Sequence, residues 1–248
     1  MAATGQERYV VASCHVERLL DDRVWAAYSA LLRARPGELP VASLVRPPDP
    51  AAGENEDVWR ERVQALIDLG APFGHHTHWT SPTHARPTGG DPDERVQREG
   101  AWLRALGLRP TLFCGGGWYT DARVAEACAE LGYADCTPRA TRPSYLAADA
   151  PWAQLASPAR VLLPAGGELV AVPTTHSVGD ALRAVVRPSL PTQLHVYFHD
   201  TDLVDSRRRR LVTLALRFLG ARGRAADLDT IRNTVADDPV AWDEIGRP

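Results

Sequence analysis

The chain has 248 residues, 44% of them hydrophobic, and a formal net charge of −3. That is enough apolar chain to bury a core without staples, and without a basic field neither nucleic acid nor an anionic membrane is expected as a partner. All 28 positions counted as lysine or arginine are arginine, which excludes Schiff-base chemistry, pyridoxal phosphate attachment and a Walker A lysine.

The first strand is expected at Tyr9 to Val16. A helix follows over Val24 to Arg35, with Trp25, Tyr28, Leu31 and Leu32 at helical spacing. Pro40 to Val45 reads as a strand, Pro47 to Gly53 as a loop, and Glu56 to Leu69 as a helix closed by Gly70. A short strand at Ala71 to Gly74 leads into a histidine cluster. Asp91-Pro92-Asp93-Glu94 then opens a helix, with Asp91 as cap and Glu94 closing a capping box. Further strands are expected at Thr111 to Cys114, Tyr133 to Cys136, Leu169 to Pro173 and Leu194 to Phe198. Helices are expected at Asp121 to Leu131 and Asp205 to Leu219; the Arg207–Arg210 run is read as a solvated face. Arg139 to Ala165 is read as an irregular insertion. Strands alternating with helices predict an α/β fold with mostly parallel strands.

No run approaches the ~20 apolar residues of a membrane helix. The short polar start, Met1 to Arg8, lacks the pattern of a signal peptide, so a cytoplasmic protein is expected. Cys14, Cys114, Cys128 and Cys136 form no CxxC pair and are read as free thiols.

Chemistry-bearing residues gather just past the expected strand ends. His15 and Glu17 follow the first strand, and His75, His76 and His78 the third. Cys114 with Gly115 to Gly117 follows the next; then come Thr174 to His176, and finally His199 and Asp200. In α/β barrels these strand ends converge on one mouth. Residues two apart in extended chain share a face, so His76 and His78 can approach one ion. His15 and Glu17 share a face likewise, and Glu17 suits a third ligand. His199 suits a general acid, with Asp200 or Asp202 orienting a histidine. His75 alternates away, and His84 and His195 are read as incidental or structural. Trp79, Trp118 and Tyr119 are read either as stacking platforms or as core.

These motifs resemble the polysaccharide deacetylase (NodB-homology, carbohydrate esterase) family, of which the chain would be a divergent member. His15-Val16-Glu17 stands where that family ends its first strand with paired carboxylates. Pro72-Phe73-Gly74-His75-His76-Thr77-His78-Trp79-Thr80 stands at its two-histidine motif, as a G-x-H-x-H variant. Phe113-Cys114-Gly115-Gly116-Gly117-Trp118-Tyr119 stands at its third motif, and Val196-Tyr197-Phe198-His199-Asp200 at its last. The likeness covers roughly residues 9 to 220. It departs from the family at His15, Thr80 and Cys114, which replace a carboxylate, a histidine and an arginine.

The resemblance implies a distorted, incomplete (β/α)7 barrel as a single domain over residues 1–248, with a C-terminal helix and tail from 221. It implies removal of an acetyl group from an amino sugar or small glycoside with a divalent metal, zinc first. Glu17, His76 and His78 would hold the ion, His15 would act as base and His199 as acid. Cys114, Gly115, Gly116, Trp118, Tyr119, Trp79 and His176 would surround the substrate or its oxyanion. The departures keep two alternatives open: a metal-independent cyclic amide hydrolase of the allantoinase-like branch, and a non-catalytic carbohydrate-binding relative. A homo-oligomer is compatible with the sequence.

Overall fold

The computed structural model describes residues 8–147, 149–187, 190–233, 235 and 238–247. The expectation of a leaderless start falls largely on residues 1–7, outside the described residues. In chain order the elements are β1 (Tyr9–Val16), α1 (Asp22–Ala34), β2 (Val41–Val45), α2 (Glu56–Asp68), β3 (Phe73–Thr77), α3 (Pro92–Ala105), β4 (Leu112–Gly115), α4 (Ala122–Glu130) and β5 (Ala134–Asp135). Then come β6 (Trp152–Ala153), β7 (Ala159–Leu162), β8 (Glu168–Ala171), β9 (His176–Ser177), α5 (Val178–Val185) and β10 (Gln193–His199). The chain closes with α6 (Ser206–Arg222), β11 (Arg224–Ala225), α7 (Leu228–Arg232), β12 (Val240–Ala241), α8 (Trp242–Ile245) and β13 (Gly246–Arg247).

The main sheet runs β12-β7-β8-β5-β4-β3-β2-β1-β10-β9, with β11 beside β1. Its pairs are parallel except β7 with β8, so the α/β class with a mostly parallel sheet is as expected. Among the described residues the end strands β9 and β12 do not pair with each other. Helices α1 to α4 each join neighbouring parallel strands, the crossover that parallel pairing requires.

Local chemistry sets the helix starts. Asp21 accepts from the N–H groups of Arg23 and Val24 and opens α1, which buries Val24, Tyr28, Leu31 and Leu32 along one stripe. Asp121 accepts from Val124 N–H at 2.9 Å and opens α4. The expected capping box at Asp91 does not form: Asp91 makes no cap bond and its carboxylate faces Arg123 instead. No described helix is long and apolar enough to cross a membrane.

Other expectations also shift. β3 starts later than its apolar residues suggest and carries His75 and His76 inside the strand, every residue from Gly74 to Thr77 being buried. The supposed irregular insertion contains β6 and β7, and β7 pairs antiparallel with β8. Helix α5 has no counterpart among the expected elements, although Ser177 and Asp180 form its capping box.

Register places the mouth. His15 pairs with His199 across β1 and β10, and His76 with Cys114 across β3 and β4. Val16 pairs with Val45, which pairs with His75, so Glu17 and His76 each stand one residue further along.

Candidate metal centre

Glu17 lies just beyond β1, His76 at the penultimate position of β3, and His78 just past it. Glu17 Oε1 is 3.2 Å from His78 Nε2, 3.7 Å from His76 Nε2 and 3.6 Å from His199 Nε2. The structure therefore brings together the three ligands expected from sequence. His15, Glu17 and His199 form a second convergent group, and His15, His76 and Cys114 a third, with ligand atoms within 4.8 Å of one another.

The decisive detail lies on the far side of each ring. His76 Nδ1 is 2.7 Å from the Cys114 carbonyl oxygen, and His78 Nδ1 is 3.0 Å from the Pro82 carbonyl oxygen. A carbonyl can only accept, so each Nδ1 carries the proton and each Nε2 keeps a lone pair. Both Nε2 atoms are buried and have no hydrogen-bond partner. They face a carboxylate oxygen, which is also an acceptor. Three electron-rich atoms thus converge with no proton between them. Protonating a ring is one remedy, but burial lowers the His76 pKa despite the nearby Glu17. A divalent cation is the other, and two imidazoles and one carboxylate are a donor set that could hold one with a position left open.

His15 is held well below the usual imidazole range by burial, and then by His76 and His199. It is therefore a neutral ring at neutral pH. Its Nε2 lies 3.6 Å from Cys114 Sγ, and burial pushes that thiol up, away from thiolate character.

A cavity of about 410 Å³ opens over this cluster. Its lining includes His15, Glu17, His76 and His199, together with Arg86, Trp118, Tyr145 and Tyr197. Another cavity, of about 390 Å³, borders His78 but not Glu17, His15 or His199. Trp118 sits at φ 60°, a left-handed conformation costing of order 1–3 kcal/mol for a bulky residue. Gly117 before it has the same φ, and a Cβ there would lie 2.3 Å from Arg86 Cγ. This tight turn carries the Trp118 ring to 5.2 Å from the His15 ring.

Several expected substrate residues lie elsewhere. Trp79 is buried in the core, its indole N–H donating to Gly116 O at 3.0 Å and its ring 5.3 Å from Tyr119. Tyr119 donates its hydroxyl to Asp121 at 2.6 Å. Gly115 N–H donates to Thr137 Oγ1 at 2.8 Å and is not free for an oxyanion, and a Cβ on Gly116 would lie 2.5 Å from Thr77 O. These glycines are there for close backbone approach. His176 bonds Thr175 Oγ1 at 2.8 Å and does not line the cavity.

Asp200 accepts from Arg18 N–H and Thr201 N–H, each at 2.8 Å, tying the ends of β1 and β10 together rather than orienting a ring. Burial, helped by Glu17, pushes its carboxyl up to about 7. Asp202 takes the orienting place instead, accepting the His199 backbone N–H at 3.0 Å with Nδ1 3.9 Å away. His75 points to α3 and Glu99, and His195 meets Ser13 Oγ at 2.8 Å.

The sequence reading missed Arg86, Tyr145 and Tyr197. Tyr197 was reachable, since it lies two residues before His199 on one strand face. Arg86 and Tyr145 lie in loops that carry no periodic signal.

No protein-family model matches the chain, and no curated protein matches it. Among solved structures it is similar to the 4-alpha-glucanotransferase of Thermococcus litoralis, at 12% identity and a TM-score of 0.55, over 94% of this chain and 39% of that one. The chain thus spans well under half of that enzyme's length, and the likeness bears on the fold alone. A family 4 carbohydrate esterase from Streptomyces lividans, in complex with acetate, matches at 15% identity and a TM-score of 0.43, over 90% of this chain and 98% of that one. That match is too loose to bear on either fold or function.

Proposed function

We propose that the chain is a metal-dependent hydrolase that removes an acyl group, in the first instance the N-acetyl group of an amino sugar or small glycoside. One observation carries the metal: Glu17 Oε1, His76 Nε2 and His78 Nε2 converge while both Nδ1 protons are held by backbone carbonyls. The acyl chemistry rests on the motif order shared with polysaccharide deacetylases.

Glu17, His76 and His78 would hold the ion. A divalent cation there would polarise an acyl carbonyl and make water nucleophilic near neutral pH. In this reading His15, buried beside His76 and kept neutral, would stand in the base position. His199, half-buried at the cavity wall with its backbone held by Asp202, would give a proton to a leaving amine. Trp118 and Tyr197, 4.8 Å apart edge to face, shield the back of His15 from water.

The test is release of acetate from small N-acetylated amino sugars by the purified protein, before and after chelation and again after zinc is restored. The expected result is activity that the chelator removes and zinc returns. Turnover of cyclic amides that survives chelation would favour the allantoinase-like alternative. No turnover of either class would leave the non-catalytic one.

A further inference from the structure

Two arginines at this cavity have no carboxylate partner among the described residues. Arg86 lines the cavity directly. Its Nη1 donates to Gly117 O at 2.6 Å and its Nη2 to Pro151 O at 3.5 Å, and its guanidinium stands 5.7 Å from the Tyr119 ring centre. Those carbonyls aim the fork but do not cancel its charge.

Arg139 stands one layer back. Its guanidinium carbon is 4.3 Å from the Trp118 ring centre and 5.0 Å from that of Tyr197, and both rings line the cavity. It is only 7% exposed, and its Nε and Nη1 have no hydrogen-bond partner. Arg46 is a buried guanidinium that does have a counter-charge. It is 8% exposed, yet Glu54 stands 2.5 Å away and backbone oxygens of Pro47 and Glu17 take further N–H groups. A buried guanidinium without counter-charge is costly unless something else supplies the charge. The rings of Trp118 and Tyr197 offset part of that cost through their π faces.

The cavity's carboxylate cannot serve. Glu17 lies between three imidazoles, at 3.2–3.7 Å from each. The cavity lining thus holds one guanidinium, Arg86, and one carboxylate, Glu17, which are not paired with each other, and Arg139 adds a second positive charge behind the wall.

We propose that the substrate carries an anionic group, a carboxylate or a phosphate, held against Arg86 and the Arg139-backed wall of Trp118 and Tyr197. The Arg86 fork suits both anions, the Arg139 charge behind the rings favours them at longer range, and a cavity of about 410 Å³ suits a charged monosaccharide derivative. This names the substrate class of the site proposed above and rests on that reading.

The test is calorimetric titration of the full-length, metal-analysed protein with three ligands: N-acetylglucosamine, N-acetylglucosamine 6-phosphate and N-acetylmuramic acid. The expected result is that at least one charged ligand binds about tenfold or more tighter than the neutral sugar, because charge-assisted guanidinium bonds are added. Which one does so separates phosphate from carboxylate. That ratio should shrink roughly fivefold or more in Arg86→Gln and in Arg139→Gln. If Arg139→Gln does not fold, as judged by its thermal melt, Arg86→Gln carries the test alone, since Arg86 is partly exposed. Equal affinities, no binding of any of the three, or a ratio that neither variant moves would overturn the proposal. Metal content on the same samples reports separately on the hydrolase reading: a metal-free protein that still prefers the anion would sink the metallo-hydrolase and leave Arg86 as an anion-binding site without it.

Discussion

Strand β3 carries a histidine–carboxylate cluster on each face, alike in composition and unlike in protons. On the helix side, His75 and Thr77 meet Glu99 from α3; on the mouth side, His76 and His78 meet Glu17. Glu99 is supplied with protons. The Thr77 hydroxyl donates to it at 2.9 Å, Arg95 Nε donates at 2.7 Å, and His75 Nε2 lies 2.9 Å away. Glu17 receives none from His76 or His78, whose protons are held by the carbonyls of Cys114 and Pro82. His75 Nδ1 lacks a partner, yet it belongs to no convergent group of ligand atoms among the described residues. A histidine beside a carboxylate is therefore no sign of a metal by itself. The sign is what the other ring nitrogen does.

The comparison breaks most visibly at Glu17. Glu17→Gln keeps the shape and removes the charge, leaving only neutral donors for a dication. Bound metal should be lost and acyl hydrolysis should fall by roughly 10³ or more, read by elemental analysis and an acetate-release assay. The fold should survive, since Glu17 makes no core contact that glutamine cannot.

The opposite result is expected across the strand. Glu99→Gln leaves Arg95 and His75 without their carboxylate and should cost about 2–4 kcal/mol of stability in a denaturant titration. Metal content should stay unchanged. If the two variants exchanged phenotypes, the assignment of faces would be reversed.

The pH dependence sharpens the same contrast. Burial works against the Glu99 charge, but His75 and Arg95 hold its carboxyl below the usual range. A depressed carboxylate contributes stability that is full above its unfolded pKa, ~4.3, and is lost as pH falls through the lower folded value. The melting temperature of the native chain should therefore drop on acidification below about pH 4, with a gap to Glu99→Gln that narrows as pH falls. A gap that stays constant down to about pH 2 would contradict the linkage. The smallest effect is expected from Thr77→Val, which keeps the volume, removes one donor to Glu99 and should cost ~1–2 kcal/mol.

The convergence of Glu17, His76 and His78 is legible in the sequence because strand alternation is a strict rule. His15 and Glu17, and His76 and His78, fall two apart at strand ends, and parallel register then sets them level. The start of β3 was not legible: Gly74-His75-His76-Thr77 looks polar, and only Glu99 on one face and the site on the other explain its burial. β7 was hidden because its partner β8 supplies the reason for its shape. Helix α5 was readable from Ser177 and Asp180 but lay between two more obvious elements. Trp79 and Tyr119 left core and platform equally open, and the hydrogen bonds to Gly116 and Asp121 draw both into the core. Arg86 and Arg139 sit in loops, and nothing local says that their charges go unmatched.

The most direct measurement is elemental analysis of tag-free protein after zinc reconstitution and dialysis, run beside His78→Ala. His78 makes its ring contacts at the mouth, so its loss should spare the fold. About one divalent ion per chain in the native protein, with little or none in the variant, is the predicted result. A native chain that stays metal-free, or a variant that keeps its full complement, would contradict the claim that Glu17, His76 and His78 are built around a cation.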